Sequence, residues 1–120
     1  MISHAKTTKI QQITLLGATG SIGQSTLKVM RLHPEKFKLY GVSAFKNMAE
    51  LARICTEFNP RYAVVPDHAA AQYLRQLIPG LSPDILIGTQ ALCDLAQTYD
   101  VDIVVNEEFT AYTIPENTKR

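Results

Sequence analysis

The sequence has no long apolar run, almost no net charge and only two cysteines. Its apolar runs are far shorter than the roughly 20 residues of a transmembrane helix, so we expect no membrane partner. A net charge of +1 gives no electrostatic reason to expect nucleic acid as a partner. Cys55 and Cys93 lie far apart within helical patterns, where a buried thiol that packs as a small hydrophobic side chain is more common than a disulfide.

Signals for export, hydrolysis and metal binding are also missing. Residues 1–12 are polar and lack the apolar core of a secretory signal, so the expected location is the cytoplasm. No Ser-His-Asp pattern is present, and the three histidines have no metal-ligand spacing with each other or with the cysteines. The pair Glu107 and Glu108 is expected to be solvated. The sequence therefore names no catalytic residue and no metal ligand.

The feature that is present is a turn with three spaced glycines after an apolar strand, in the stretch ITLLGATGSIGQS. Gly17 can adopt backbone angles closed to other residues. Gly20 lets a ligand approach the backbone, and Gly23 lets the following helix lie against the strand. The helix N-terminus would offer N–H groups and partial positive charge to a pyrophosphate, with Thr19 and Ser21 as hydroxyl donors.

Glycines at this spacing also occur in tight turns that bind nothing. Here the motif follows the first strand of the chain and opens a helix, which is the context that a dinucleotide-binding turn requires. The position therefore favours a bound dinucleotide over an empty turn.

The rest of the chain alternates between strand and helix patterns. Strands are predicted at 10–16, 37–44, 62–65, 85–87 and 101–105, and helices at 21–33, 47–58, 67–77 and 89–98. This alternation predicts an α/β fold, a Rossmann-like doubly wound parallel sheet of about five strands with helices on both faces. The predicted domain covers residues 10–105, between a polar tail at 1–9 and an irregular tail at 106–120.

Local signals predict how the helices start and which sides face the core. The spacing in the first helix predicts an inward face made of Ile22, Thr26, Val29, Met30 and His33. Asn47 and Asp67 are expected to be the N-caps of the second and third helices.

The loop after the second strand bears on the choice of dinucleotide. NAD-binding domains place an Asp or Glu there to hold the ribose 2′-hydroxyl, whereas this chain reads VSAFKN without an acid. Lys46 stands where a cation would meet the 2′-phosphate of NADP(H), and Ser43 offers a hydroxyl. The loop favours NADP(H) over NAD(H), with a merely solvated Lys46 as the alternative.

These residues resemble the N-terminal domain of the 1-deoxy-D-xylulose-5-phosphate reductoisomerase family over residues from about 10 to 105. The resemblance rests on GATGSIG at 17–23, HPEKF at 33–37, Lys46-Asn47, NPRYA at 59–63, Gly88 and Val101-Asp102. It implies an oxidoreductase that uses NADPH and a divalent metal, Mn or Mg. The implied reaction converts 1-deoxy-D-xylulose 5-phosphate to 2-C-methyl-D-erythritol 4-phosphate in isoprenoid biosynthesis by the non-mevalonate pathway.

The resemblance also implies which residues contact the cofactor, namely those of the glycine turn and of the loop after the second strand. The predicted cofactor-binding residues are Gly17, Thr19, Gly20, Ser21, Ile22, Gly23, Phe45, Lys46 and Asn47. Phe45 departs from the small or polar residue that is usual at its position in the family.

Members of the family are much longer, and their metal ligands, substrate-binding residues and lid lie beyond residue 120. After the fifth strand the family continues with an Ala/Gly-rich segment near the nicotinamide, whereas residues 106–110 contain no glycine. We therefore expect a truncated NADPH-binding domain that is inactive alone and is either marginally stable or self-associating. The resemblance implies that the full-length family is homodimeric. The alternative is a stand-alone nucleotide-binding or interaction module without catalysis.

Overall fold

Strands and helices alternate along the chain, as the hydrophobic pattern predicts. The computed structural model describes residues 9–80 and 83–106, so the predictions for both tails fall largely outside the described residues. The strands are β1 (Gln11–Leu16), β2 (Phe37–Ser43), β3 (Tyr62–Val65), β4 (Asp84–Ile87) and β5 (Ile103–Asn106). The helices are α1 (Ser21–Leu32), α2 (Met48–Phe58), α3 (His68–Leu77) and α4 (Thr89–Ala96). No helix within the described ranges is long and apolar enough to cross a membrane.

The five strands form one sheet in the order β4-β3-β2-β1-β5, and all neighbouring strands are parallel. The chain moves outward from β1 through β2, β3 and β4, and then returns to place β5 on the other side of β1. The direction of winding therefore reverses between β1 and β5. In open parallel sheets, ligands bind at such a reversal, outside the carboxyl ends of the strands.

Helices cover both faces of the sheet, which confirms the predicted doubly wound fold. One buried cluster joins Leu15 of β1 to residues of α1, α2 and α3, and the other joins Leu16 of β1 to residues of α4. The first cluster includes Leu27, Met30, Leu39, Leu51, Ile54, Cys55 and Leu74, and the second includes Tyr40, Val64, Leu92 and Leu95. Right-handed crossovers explain the division, because the return from β4 to β5 places α4 on the opposite face.

The first helix presents a different face to the core from the one predicted. Gly23, Leu27 and Met30 are its buried residues, whereas Ile22 is 53% and Val29 is 50% exposed. The prediction of an inward face through Ile22 and Val29 is therefore wrong, although it is right for Met30. Gly23 lies directly against the backbone of Ala18 in the preceding turn, and this contact favours the observed rotation of the helix.

The starts of two helices depend on residues close in sequence, whereas the start of β5 involves a residue far away in the chain. The side chains of Asn47 and Asp67 cap α2 and α3 as predicted, because each accepts a hydrogen bond from the backbone N–H three residues later. The predicted start of the fifth strand at residue 101 is wrong. Asp102 instead accepts the backbone N–H of Gln12 at its carboxylate, at 2.8 Å, and β5 begins only after it.

Candidate dinucleotide-binding site

The turn after β1 is held in a conformation that only glycine adopts readily. Gly17 has a φ of +83°, which lies in the left-handed region. Its N–H donates to the Ser43 Oγ at 3.0 Å, and the next N–H, of Ala18, donates to the Ser43 carbonyl oxygen at 2.8 Å. The Gly20 N–H closes the turn on the Gly17 carbonyl oxygen at 3.1 Å. The end of β2 therefore supports the turn at its base.

The start of α1 lies directly on this turn. A Cβ placed on Gly23 would lie 2.4 Å from the Ala18 carbonyl oxygen, so only glycine permits the observed approach. The N-cap residue Gly20 supplies no side-chain hydrogen bond, and the first turn of the helix carries no acidic side chain. The first turn of α1 thus contributes no negative charge against the positive end of its own dipole, which suits an anionic group such as a phosphate.

The structure brings the two predicted groups of cofactor residues to one edge of the sheet. Leu16 and Ser43 are register partners at the ends of β1 and β2, so the loops that follow these strands are neighbours. Thr19, Gly20, Ser21 and Ile22 lie in or just after the first loop and are partly or fully exposed, and Lys46 and Asn47 are exposed in the second.

Four of the predicted residues have a structural task in this chain. Gly17 and Gly23 are buried, and they shape the turn and the helix contact. Phe45 packs against the buried cluster on the α4 face of the sheet. Asn47 uses its side-chain oxygen to cap α2, accepting the Glu50 N–H at 3.0 Å, which fixes the direction of the side chain beside Lys46.

Ser43 does not play the predicted part. The side chain is fully buried, and its oxygen accepts the Gly17 N–H. The prediction that Ser43 offers its hydroxyl to a ligand is therefore wrong, because the group supports the glycine turn from below. Only the pairing of β1 with β2 reveals this, so the sequence carried no signal for it.

Sequence reasoning also missed a contact between α1 and α2 beside the two loops. The Gln24 side-chain amide donates to the Ala18 carbonyl oxygen at 3.3 Å and to the Glu50 carboxylate at 3.2 Å. Arg53 pairs with the same carboxylate. The hydrogen bond from Arg53 holds the pKa of Glu50 below its usual value, and the bond from Gln24 acts in the same direction. The acidic side chain in the first turn of α2 is thus ionised and already paired.

Two cavities lie on different parts of the domain, one along α1 and one at the sheet. A cavity of about 310 Å³ adjoins the start of α1 and is lined by Ser21, Ile22, Ser25, Thr26 and Val29. A larger one, of about 740 Å³, lies at the amino ends of the strands, where its lining includes Gln12, Tyr40, Arg61 and Asp84. The smaller cavity runs along the exposed side of α1 from its start, and its lining includes the predicted cofactor residues Ser21 and Ile22 but no residue of the Lys46 loop.

A doubly wound parallel sheet with this turn and helix start defines a Rossmann-like domain of the dinucleotide-binding class. The chain belongs to the 1-deoxy-D-xylulose 5-phosphate reductoisomerase family, whose family model matches residues 13–116. The resemblance read from the sequence is confirmed. The match continues past residue 105, and the division of the chain into a domain and two tails stays a prediction.

Curated relatives carry the same family name. The reductoisomerase of Pseudomonas fluorescens (strain Pf-5) is 46% identical over 100 residues, which are 82% of this chain and 25% of the relative. That of Ectopseudomonas mendocina is 46% identical over 98 residues, 80% of this chain and 25% of the relative. The chain thus spans about a quarter of the length of the curated relatives it matches.

Solved reductoisomerase structures share the fold. One is a complex with NADPH, fosmidomycin and magnesium, with a TM-score of 0.72 and 32% identity, and it aligns over 79% of this chain and 24% of its own. The Zymomonas mobilis enzyme in complex with NADPH has a TM-score of 0.69 and 30% identity over 75% of this chain and 24% of its own.

Proposed function

We propose that this chain binds NADPH as the Rossmann-like cofactor domain of a 1-deoxy-D-xylulose 5-phosphate reductoisomerase. The observation that carries the proposal is the juxtaposition of the glycine turn, the uncapped start of α1 and the Lys46 loop at the carboxyl edge of β1 and β2. The start of α1 suits the pyrophosphate. Two similar solved structures are described as NADPH complexes, which supports the same ligand here.

The second loop supports NADPH over NADH. Residues 44–47 contain no carboxylate, and Lys46 is exposed, so its ammonium group is accessible to a 2′-phosphate. The first acidic residue of α2, Glu50, pairs with Arg53 and faces Gln24 of α1. The loop therefore presents a cation where the ribose phosphate of NADPH would lie.

We do not place the metal site of the family's reaction among the described residues. Solved relatives include complexes with magnesium. Among residues 9–80 and 83–106, however, no three His, Cys, Asp or Glu side chains come together to hold a metal ion. The described residues do not fit the metal, and we propose that the 120-residue chain is inactive alone. The homodimer of the family, self-association of this chain and a cytoplasmic location stay predictions.

The proposal is tested by calorimetric titration of the purified chain with NADPH and with NADH. We expect saturable binding of both cofactors, with NADPH bound more tightly. The two differ only in the 2′-phosphate of NADPH, which would lie beside Lys46. A folded chain that shows no saturable binding of NADPH would contradict the proposed function.

Catalysis is tested separately, by incubating the chain with 1-deoxy-D-xylulose 5-phosphate, NADPH and manganese. We expect no oxidation of NADPH. Turnover that persists after contaminating host enzyme has been removed would show that the chain holds its own metal and substrate groups.

A further inference from the structure

We propose that Gln24 is a positioning residue that couples the glycine turn to the Lys46 loop, so that the two phosphate-bearing parts of NADPH are bound as one unit. This inference rests on the proposed binding of NADPH. It concerns a side chain that is not among the predicted cofactor contacts and that lies behind the two loops.

The first step is the geometry of the Gln24 amide. Its nitrogen lies 3.3 Å from the Ala18 carbonyl oxygen and 3.2 Å from a Glu50 carboxylate oxygen. A primary amide carries two N–H donors, so both hydrogen bonds form at the same time. One side chain therefore joins the turn after β1 to the first turn of α2.

The second step is that both loops are fixed at both of their ends. At the sheet, Ser43 accepts the Gly17 and Ala18 N–H groups, which joins the places where the loops begin. At the helices, Gln24 and Glu50 join α1 to α2, where the loops end. The Gln24–Glu50 contact therefore adds a second connection between the two loops, at the ends that lead into the helices.

The contact between Gln24 and Glu50 is linked to Lys46 through Asn47. Asn47 caps the N–H of Glu50 at 3.0 Å, and Lys46 directly precedes Asn47 in the chain. The first turn of α2 and the end of the Lys46 loop therefore move together. A displacement of Glu50 relative to Ala18 would change the separation between the start of α1 and Lys46.

The negative charge of Glu50 also affects Lys46. Glu50 is ionised, with a pKa below its usual value because of Arg53 and Gln24. Its carboxylate faces α1, since it lies within hydrogen-bonding distance of Gln24. An unpaired carboxylate one turn from Lys46 would compete with the 2′-phosphate for that ammonium group. Because Gln24 and Arg53 both bind the Glu50 carboxylate, it does not compete with the 2′-phosphate for Lys46.

The same two helices provide a matched control. Arg31 of α1 pairs with Glu57 of α2, with 2.9 Å between Nη2 and Oε1. Seven residues separate Arg31 from Gln24, which is about 10 Å along a helix. Arg31→Gln therefore breaks a contact between α1 and α2 far from the loops, whereas Gln24→Met breaks the one beside them with little change in volume.

The experiment measures the dissociation constants of NADPH, NADH and adenosine 2′-monophosphate for the wild type, Gln24→Met and Arg31→Gln. NADH has no 2′-phosphate, and the monophosphate has no pyrophosphate, so only NADPH engages both loops. We expect Gln24→Met to weaken NADPH about fivefold or more, a typical coupling between sites, and to change the other two ligands less than about twofold. Arg31→Gln should leave all three ligands unchanged.

The outcomes separate this inference from the proposed function. A wild type that binds no NADPH overturns the proposed function. If Gln24→Met binds NADPH as tightly as the wild type does, only the proposed coupling is overturned. An equal loss for all three ligands, or the same loss in Arg31→Gln, would show that Gln24 merely stabilises the packing of α1 on α2. If Gln24→Met does not fold, Gln24→Asn replaces it, since the shorter side chain cannot reach both partners.

Discussion

At the scale of single residues, one exposed lysine is expected to distinguish two cofactors. In the proposed mode of binding, the glycine turn would contact the pyrophosphate that NADPH and NADH share, so it would not discriminate between them. Lys46 is exposed in the second loop, and a charge-assisted contact to phosphate contributes about 1.5–3 kcal/mol. Lys46→Ala should therefore weaken NADPH roughly ten- to hundredfold and leave NADH unchanged, as measured by calorimetry.

The control for this prediction is Lys38→Ala, which removes another exposed lysine near the opposite end of β2. It should leave the preference for NADPH intact. Equal affinities of the wild type for the two cofactors, or a preference that survives Lys46→Ala, would show that Lys46 is only a solvated side chain.

A second residue-scale prediction concerns Ser43. Ser43→Ala removes the oxygen that accepts the buried Gly17 N–H, and an unpaired buried donor costs about 1–3 kcal/mol. Denaturant unfolding should show this loss, and both cofactors should bind less tightly because the turn loses its support. Ser25→Ala, at an exposed position on α1, should change stability by less than about 0.5 kcal/mol. A Ser43→Ala protein as stable as the wild type would contradict the supporting role.

At the scale of elements, the contact between α1 and its preceding turn is open to a direct test. Gly23→Ala places a Cβ 2.4 Å from the Ala18 carbonyl oxygen, and because this neighbour is backbone, the helix must move. We expect a loss of about 1–3 kcal/mol in unfolding free energy, measured by denaturant titration.

Gly80→Ala serves as the matched control, since a Cβ there meets no atom within 4 Å. Its stability should change by no more than about 0.5 kcal/mol. A Gly23→Ala protein that behaves like the Gly80→Ala protein would mean that the helix does not depend on close contact with the turn.

Elements were predictable from the sequence where their signals are local. Asn47 and Asp67 cap helices through hydrogen bonds to residues three positions away, so their side-chain chemistry suffices. The inward face of α1 was not predictable, because apolar residues occur at two helical spacings and a glycine without a side chain decides between them. The start of β5 was missed for a similar reason, since the partner of Asp102 is Gln12, far away in the chain.

The candidate site follows the same division. The glycine turn and the Lys46 loop each directly follow a strand in the sequence, so the sequence alone could predict that they lie together at the carboxyl edge of the sheet. The roles of Ser43 and Gln24 depend on which strands and helices become neighbours. The pairing of β1 with β2 and the packing of α1 beside α2 bring these side chains to the glycine turn, and no spacing along the chain encodes that.

At the scale of the whole molecule, β4 and β5 form the two edges of the sheet within the described residues, and the β5 edge carries apolar side chains. There β5 pairs with β1 alone, and Ile103 is 36% exposed. Strand edges with apolar side chains promote pairing between chains. We expect size-exclusion chromatography to show concentration-dependent association of the wild type and its loss in Ile103→Lys.

Leu32→Lys is the control for this prediction, because Leu32 is 74% exposed at the end of α1 and not on the sheet edge. It should leave the association unchanged. A wild type that stays monomeric at every concentration would contradict the prediction, as would equal effects of the two substitutions.

The place of β1 in the sheet has a consequence for how the protein is made. β1 lies between β2 and β5, and its contacts with β5 join residues 90 positions apart, such as Gln12 and Asp102. A ribosome adds roughly 5–20 residues per second, so β1 waits on the order of 5–20 s for this neighbour to be synthesised. During that time β2, β3 and β4 can already pair in turn. The crevice between β1 and β5 is therefore the last part of the sheet to close, whereas the glycine turn and the Lys46 loop can come together as soon as β1 and β2 have paired.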